Sequence, residues 1–133
     1  MKIVLLSMPD VAPVIMHESA FHMPNLGIAS IGANLPDHHD IYLIDLIRKR
    51  RQIRRYLTRT LLRIKPDIVG LSTMTWQYAT CLTLARLIRH LLPDVRIVLG
   101  GYHATLMYRE IAVSTDADQI DFIAVLKEES DLG

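Results

Sequence analysis

Two short stretches of the chain carry the side chains best suited to bind a ligand. They are Ser72–Trp76 and Gly100–His103. The hydroxyls of Ser72 and Thr75 can donate and accept hydrogen bonds, and a glycine pair lets a ligand approach the backbone where a Cβ would block it. Neither stretch has the residues of a catalytic centre, so we expect a binding slot between them. The candidate binding residues are Ser72, Thr73, Met74, Thr75, Trp76, Gly100, Gly101, Tyr102 and His103.

Both stretches follow apolar runs that are typical of buried strands. Asp67–Ser72 precedes the first, and Val95–Leu99 precedes the second. Between them, Gln77–Leu92 repeats apolar residues every three or four positions, which predicts a helix. A strand, a helix and a second strand form a right-handed unit with parallel strands. Because ligands of such sheets bind beyond the carboxyl ends of the strands, we expect both stretches to line one crevice.

The rest of the chain continues the same alternation. The other predicted strands are Lys2–Ser7, Ile41–Leu46 and Ile120–Leu126. The other predicted helices are Asn25–Leu35, residues 48–64 and Leu106–Val113. Five strands alternating with four helices predict an α/β fold, a doubly wound five-stranded parallel sheet of Rossmann-like or flavodoxin-like type, with strand order 2-1-3-4-5. We expect one domain over residues 1–133, with a long functional loop at residues 8–23.

Composition narrows the class of protein. Formal net charge is +1, and Cys81 is the single cysteine. One cysteine excludes an internal disulfide and any cysteine cluster for iron–sulfur or structural zinc within these residues. Its place on the apolar side of a predicted helix indicates a buried thiol. No apolar run approaches the roughly 18 residues of a membrane span, and the first strand is too short for a secretory signal, so we expect a cytoplasmic protein without membrane contact.

The helix at residues 48–64 has an unusual charge. Nine of the fifteen Lys and Arg residues lie in residues 48–65, and no carboxylate lies between Asp45 and Asp67. Each like-charge pair four residues apart opposes the helix by about 0.2–0.5 kcal/mol. Burying its apolar face outweighs this, at about 1.5–3 kcal/mol for each side chain. The basic face is therefore a solvated surface, a docking surface for an acidic partner such as another domain, or a nucleic-acid surface. The predicted apolar face consists of Ile53, Leu57, Leu61 and Ile64.

Several common ligand sites are missing. A dinucleotide fingerprint needs G-x-G-x-x-G directly after the first strand, where this chain has Ser7–Ala12. The G-x-x-x-x-G-K-[ST] phosphate loop is absent, and so is the Ser/Thr-rich loop with which a flavodoxin holds phosphate. A phosphoacceptor receiver would end its third strand with Asp, and this chain has Ser72. A nucleotide-binding enzyme is thus only a third alternative.

Three phrases of the sequence resemble the cobalamin (B12)-binding domain that precedes a radical SAM domain. They are Pro24–Ile28, Lys65–Ser72 and Gly100–Thr105, and the resemblance covers about residues 1–126. Ser72 and Met74 match the Ser-x-Leu position of the family, with Met replacing Leu, and Gly100-Gly101 matches its Gly-Gly. The resemblance implies that the slot takes the dimethylbenzimidazole nucleotide tail, with the corrin ring across the strand ends.

The loop after the first strand departs from one branch of that family. Cobalamin domains with a histidine ligand carry D-x-H-x-x-G there, whereas Asp10 is followed by Ala12 at the required place. Neither His17 nor His22 has an Asp two residues earlier. The resemblance therefore implies base-off cobalamin without a histidine ligand, and no metal ligand from this chain.

Other roles that the resemblance implies have alternatives. His103 contacts the corrin amides, caps a helix or lies on the surface. Trp76 and Tyr102 shelter the edge of the ligand or pack as core. Met8, Pro9 and Met23 form an apolar wall beneath the ring or pack within their loop.

The end of the chain also departs from the family. Strand five usually closes with a Gly-Glu-Gly-Glu-like turn, and this chain has Lys127–Ser130 with no C-x-x-x-C-x-x-C after it. The chain is then either the amino-terminal part of a larger radical SAM protein or a stand-alone carrier. The resemblance implies that it presents cobalamin, in cis or in trans, to a radical SAM domain that holds the iron–sulfur cluster and S-adenosylmethionine. The reaction would be methyl transfer or related radical chemistry, of methyltransferase or cyclase type. The alternative is a ligand-free, flavodoxin-like interaction domain that docks through the basic helix.

Overall fold

A computed structural model describes residues 1–9, 39–46 and 51–125. They form a five-stranded, all-parallel sheet with strand order β2-β1-β3-β4-β5, flanked by helices, as the alternating pattern predicts. The strands are β1 (Lys2–Ser7), β2 (Asp40–Asp45), β3 (Ile68–Ser72), β4 (Arg96–Gly100) and β5 (Phe122–Ile123). The helices are α1 (Ile53–Ile64), α2 (Tyr78–Leu91) and α3 (Tyr102–Val113), with 3-10 turns at Thr75–Gln77 and Thr115–Gln119.

The register brings the carboxyl ends of four strands to one line. Ser7 lies opposite Asp45 on one side and opposite Ser72 on the other. Ser72 in turn lies opposite Gly100. We call these four aligned residues and the turns that come after them the carboxyl edge. β1 is central and its residues Ile3–Ser7 are all buried, which explains why it reads as a continuous apolar run.

Helices α1 and α2 cover the same side of the sheet with the faces that the periodicity predicts. In α1 the buried apolar residues are Leu57, Leu61 and Ile64. In α2 they are Cys81, Leu84, Ala85 and Ile88. The thiol of Cys81 is free and buried, as expected. α1 ends at Lys65, whose left-handed backbone (φ 52°) turns the chain into Pro66.

Three elements differ from the prediction. α1 begins at Ile53, whereas the predicted helix covered residues 48–64; Arg51 and Gln52 form a turn before it. α3 begins at Tyr102 rather than Leu106, because the glycine pair ends the strand and starts the helix directly instead of opening a loop. β5 spans only Phe122–Ile123, shorter than the expected Ile120–Leu126. The predicted helix Asn25–Leu35, residues 48–50 of the predicted basic helix and residues 126–133 lie outside the described residues.

A charged cluster around Arg89 lies at the opposite edge of the sheet, where the strands begin, which we call the amino edge. The Arg89 guanidinium donates to the carbonyl of Val95 at 2.6 Å and to the Asp121 carboxylate at 2.7 Å. Asp121 also accepts the Ile97 N–H at 2.8 Å. Burial raises the pKa of Asp121, but the Ile97 hydrogen bond and the nearby arginines together bring it below its ordinary value. The Arg89 cluster thus connects α2 and β4 to the segment that leads into β5. This strand begins at Phe122, later than the predicted start at Ile120.

In the ranges that the structure covers, no helix has both the length and the apolar character needed to cross a bilayer.

Candidate functional site

The two candidate stretches meet at the carboxyl edge. The Thr73 N–H donates to the Gly100 carbonyl at 3.1 Å, and the His103 N–H donates to the Thr73 carbonyl at 3.1 Å. The turn after β3 and the turn after β4 are therefore joined by backbone hydrogen bonds. Both stretches were expected to line one crevice, and they are in direct contact.

Gly101 is the point of closest approach. Its φ is +93°, and a Cβ built on it would lie 2.7 Å from the Thr73 nitrogen, 2.8 Å from the Thr73 oxygen and 3.1 Å from Ser72 Oγ. Two of these atoms are backbone, so they cannot move aside. The expectation of an open slot between Gly101 and the Ser72–Thr73 turn is wrong, because the Thr73 backbone already fills that space. The missing side chain of Gly101 lets the two turns touch.

Gly100 has different surroundings. Among the residues that the structure describes, a Cβ at this position would meet the Cβ of Ala124 at 3.8 Å, which is ordinary van der Waals contact. Gly100 is therefore less tightly packed than Gly101 against the described part of the chain.

The turn after β3 is held by its own residues. The side-chain carbonyl of Gln77 accepts the Met74 N–H at 3.0 Å, and the Gln77 N–H donates back to the Met74 carbonyl at 3.0 Å. Thr73 is only 1% exposed, and its hydroxyl donates to the Met74 carbonyl at 2.9 Å. Thr73 therefore supports the turn through its backbone, and its side chain does not face solvent.

Three apolar candidates do face solvent at this edge. Trp76 is 44% exposed, Tyr102 is 54% exposed and Met74 is 37% exposed. Trp76 and Tyr102 therefore do not pack in the core. Exposed large apolar side chains beside a polar strand end are suited to cover a large, flat ligand.

His103 links the two turns. It is 8% exposed, its Nδ1 lies 3.3 Å from Thr75 Oγ1, and its ring centroid lies 4.4 Å from that of Tyr78. The alternative of a surface histidine is wrong. Burial lowers the pKa of His103 below 6.5, so its imidazole is neutral at neutral pH. A neutral ring has one donor and one acceptor nitrogen, so it can hydrogen-bond the Thr75 hydroxyl without bringing a charge between the two turns.

A polar pair at the carboxyl edge was missed by the sequence reasoning. The buried Ser7 hydroxyl donates to Asp45 Oδ1 at 3.0 Å, one strand away from the half-buried Ser72. The signal was available, since both residues end predicted strands whose carboxyl ends must align. Met8 is buried in the main core cluster instead of forming a wall of the crevice. Asp10, His17, His22 and Met23 lie outside the described residues.

The carboxyl edge presents exposed large side chains at Met74, Trp76 and Tyr102 beside the strand-end hydroxyl of Ser72. Residues 12–131 match the model of the B12 binding domain. The chain belongs to the B12-binding domain family. Cobalamin is thus its cofactor, and the exposed side chains of Trp76 and Tyr102 at the carboxyl edge are compatible with a large macrocycle. Family membership favours this reading over the ligand-free alternative.

Two further comparisons place the domain among known proteins. The chain is 26% identical over 102 residues to an uncharacterized methyltransferase of Pyrococcus horikoshii, covering 77% of this chain and 22% of that protein. It thus spans about a fifth of that relative's length. It also superposes on the crystal structure of a novel cobalamin-binding protein from Desulfitobacterium hafniense with a TM-score of 0.53. That match has 14% identity and covers 92% of this chain and 52% of the other, so it speaks for the fold alone.

Proposed function

We propose that this domain binds cobalamin base-off, without a histidine ligand to cobalt, and presents it to a radical SAM domain in cis or in trans. The observation that carries the proposal is the contrast between the two glycines. Contact at Gly101 fixes the turns, while Gly100 is packed less tightly among the described residues and would leave room for the nucleotide tail. The exposed aromatic side chains Trp76 and Tyr102 would then shelter the corrin ring.

The described histidines support the absence of a cobalt ligand. His39 precedes β2 and His90 lies in the last turn of α2, so both are at the amino edge of the sheet. His103 is at the carboxyl edge, but it is buried against Thr75 and Tyr78. Together with the missing D-x-H-x-x-G pattern, this leaves cobalt without a histidine from the described residues.

Cobalamin, when bound, supplies the chemistry of a methyl-group carrier, and the chain's own residues hold and shield it. Ser72 offers a hydroxyl at the strand end. Trp76 and Tyr102 exclude water from the edge of the ring. His103 and Gln77 keep the two turns in place. None of these residues is assigned an acid, base or nucleophile role.

The catalytic part of the proposal depends on a second domain. The methyltransferase name of the archaeal relative supports methyl transfer, and the small share of that protein that is matched leaves room for a catalytic domain. That domain would carry the three-cysteine iron–sulfur site and bind S-adenosylmethionine. Methyltransferase and cyclase types both agree with a carrier of this kind.

Titration with hydroxocobalamin, followed by absorption spectroscopy, tests the binding mode. We expect saturable binding with the spectrum of base-off cobalamin, unchanged when His103 is replaced by Gln. A base-on spectrum would contradict the tail-inserted mode, and a spectrum that depends on His103 would contradict the absence of a histidine ligand.

The catalytic partner is tested separately on the native gene product. A C-x-x-x-C-x-x-C motif downstream, or a cobalamin-dependent complex with a separate radical SAM protein, supports it; neither being found contradicts it.

A further inference from the structure

The outward face of α1 presents arginines and no carboxylate. Arg54, Arg55, Arg59 and Arg63 are all exposed, and Arg51 precedes them on the turn that leads into the helix. We call these five residues the arginine face. None of its five residues is among the candidate cofactor residues, so a role for it goes beyond the proposed function and does not rest on it.

This arrangement works against the helix that carries it. The first turn contains no acidic residue, although the positive end of the helix dipole favours one there. Arg54 and Arg55 occupy that turn instead. The pairs Arg51/Arg55, Arg55/Arg59 and Arg59/Arg63 are like charges four residues apart. The helix forms because its other face is buried, so the arginines are not there to stabilise it. Sequence choices that conflict with local stability are expected at functional positions.

The arginine face has no partner among the described residues. None of its five guanidinium groups makes a hydrogen bond or ion pair within residues 1–9, 39–46 and 51–125. Arg89 shows the contrast, since its guanidinium bonds three carbonyls and a carboxylate. Arg89, which contributes to the fold, is thus paired, whereas the arginines of α1 face outward and have no partner in the ranges that the structure describes.

The surface also has shape and an apolar contact point. Arg54, Arg55, Thr58 and Arg59 line a shallow, open depression. Leu62 is 45% exposed and lies four residues after Thr58 and three after Arg59, on the same side of the helix. An exposed aliphatic side chain among arginines is typical of a protein interface, where an apolar anchor is surrounded by a polar rim.

We propose that the arginine face, with Leu62 at its centre, docks an acidic surface of a protein partner. Charge complementarity favours an acidic partner, and Leu62 favours protein over nucleic acid, because phosphates offer nothing for an aliphatic side chain to bury. The formal net charge of only +1 also argues against a nucleic-acid binder, which needs a broad basic field.

Fluorescence anisotropy with labelled peptides tests this surface on the full chain. The probes are poly-glutamate, a peptide of the same length in which every third residue is leucine, and poly-uridylate. We expect the leucine-bearing acidic peptide to bind most tightly, with an affinity that falls as salt rises. The double variant Arg55→Glu/Arg59→Glu should lose this binding by about tenfold or more. The variant Leu62→Ser should lose only the advantage of the leucine-bearing peptide.

A charge-matched control and a stability measurement separate docking from structure. Arg86→Glu/Arg109→Glu makes the same change in net charge at exposed positions elsewhere and should keep binding within about twofold. Arg55→Glu/Arg59→Glu places a carboxylate in the first turn and makes 51/55 and 59/63 opposite-charge pairs, although 55/59 stays a like-charge pair, so we expect it to raise the Tm by roughly 2–5 °C. Each of four results would overturn the proposal: a lowered Tm with unchanged peptide binding, an equal loss in the control, tightest binding to poly-uridylate, or a dimer in sedimentation that the double variant abolishes.

Discussion

The two edges of the sheet are held together by different kinds of contact. At the amino edge, the side-chain contacts involve charged groups. The Arg89 guanidinium donates to the Val95 carbonyl and to the Asp121 carboxylate, which also accepts the Ile97 N–H.

At the carboxyl edge, the contacts between the turns after β3 and β4 are neutral: backbone hydrogen bonds join the two turns, and a neutral histidine lies between them. Asp45 is the charged group farther along that edge, where it accepts a hydrogen bond from Ser7. The amino edge therefore fixes the fold, while the carboxyl edge leaves the aromatic side chains of Trp76 and Tyr102 exposed.

The largest expected effect is at the second glycine of the carboxyl edge. Gly101→Ala should destabilise the protein by about 2–4 kcal/mol, since it adds a strained backbone angle and a clash with Thr73. Gly100→Ala, the neighbouring control, should change stability by less than about 1 kcal/mol, because its Cβ meets only ordinary contact. Urea unfolding measures both. Equal effects at the two positions would show that the turns are not pressed together at Gly101.

The next effect is at the amino edge. Arg89→Ala removes charged hydrogen bonds to partly buried acceptors, and we expect a loss of about 2–3 kcal/mol in the free energy of unfolding. Cobalamin affinity should stay unchanged, because Arg89 lies at the edge opposite the site. A variant that weakened cobalamin binding without unfolding would contradict the division between the two edges. Arg86→Ala, an exposed control on the same helix, should be nearly neutral.

The smallest effect is a dependence of stability on pH that comes from His103. Its pKa in the folded protein is lowered from 6.5, so the unfolded chain binds more protons in the window just below that value. Its contribution to stability should be complete above pH 6.5, decline as the pH falls below 6.5 toward the folded pKa, and then level off. Unfolding free energies at several pH values measure it, with His103→Gln as the comparison. An identical decline in that variant would assign the pH dependence to another group.

Most of the fold was predictable from local pattern. Apolar periodicity gave the inward faces of α1 and α2, and the alternation of strands and helices gave the strand order, because few topologies satisfy that alternation. The late start of β5 was not predictable, since the Arg89 cluster that lies just before it joins residues far apart in the chain. The same holds for the start of α3, which depends on the backbone angle of Gly101.

The candidate site was predictable in position and not in detail. Strand ends of a parallel sheet must align, so Ser72 and Gly100 were expected together, and they pair in register. Which glycine leaves space depends on what the neighbouring turn does with its backbone, and no sequence pattern contains that information. Ser7 and Asp45 could have been found by asking which polar residues end the other strands.

A titration of two Gly100 variants with hydroxocobalamin tests whether the cofactor's tail enters beside this residue, as we propose. Gly100→Ala adds one carbon at ordinary contact distance from Ala124 and should keep affinity within about threefold, whereas Gly100→Leu fills the proposed place of the tail and should lower affinity by about tenfold or more with little change in Tm. Wild-type affinity in a folded Gly100→Leu protein would contradict the claim, because it would place the tail elsewhere.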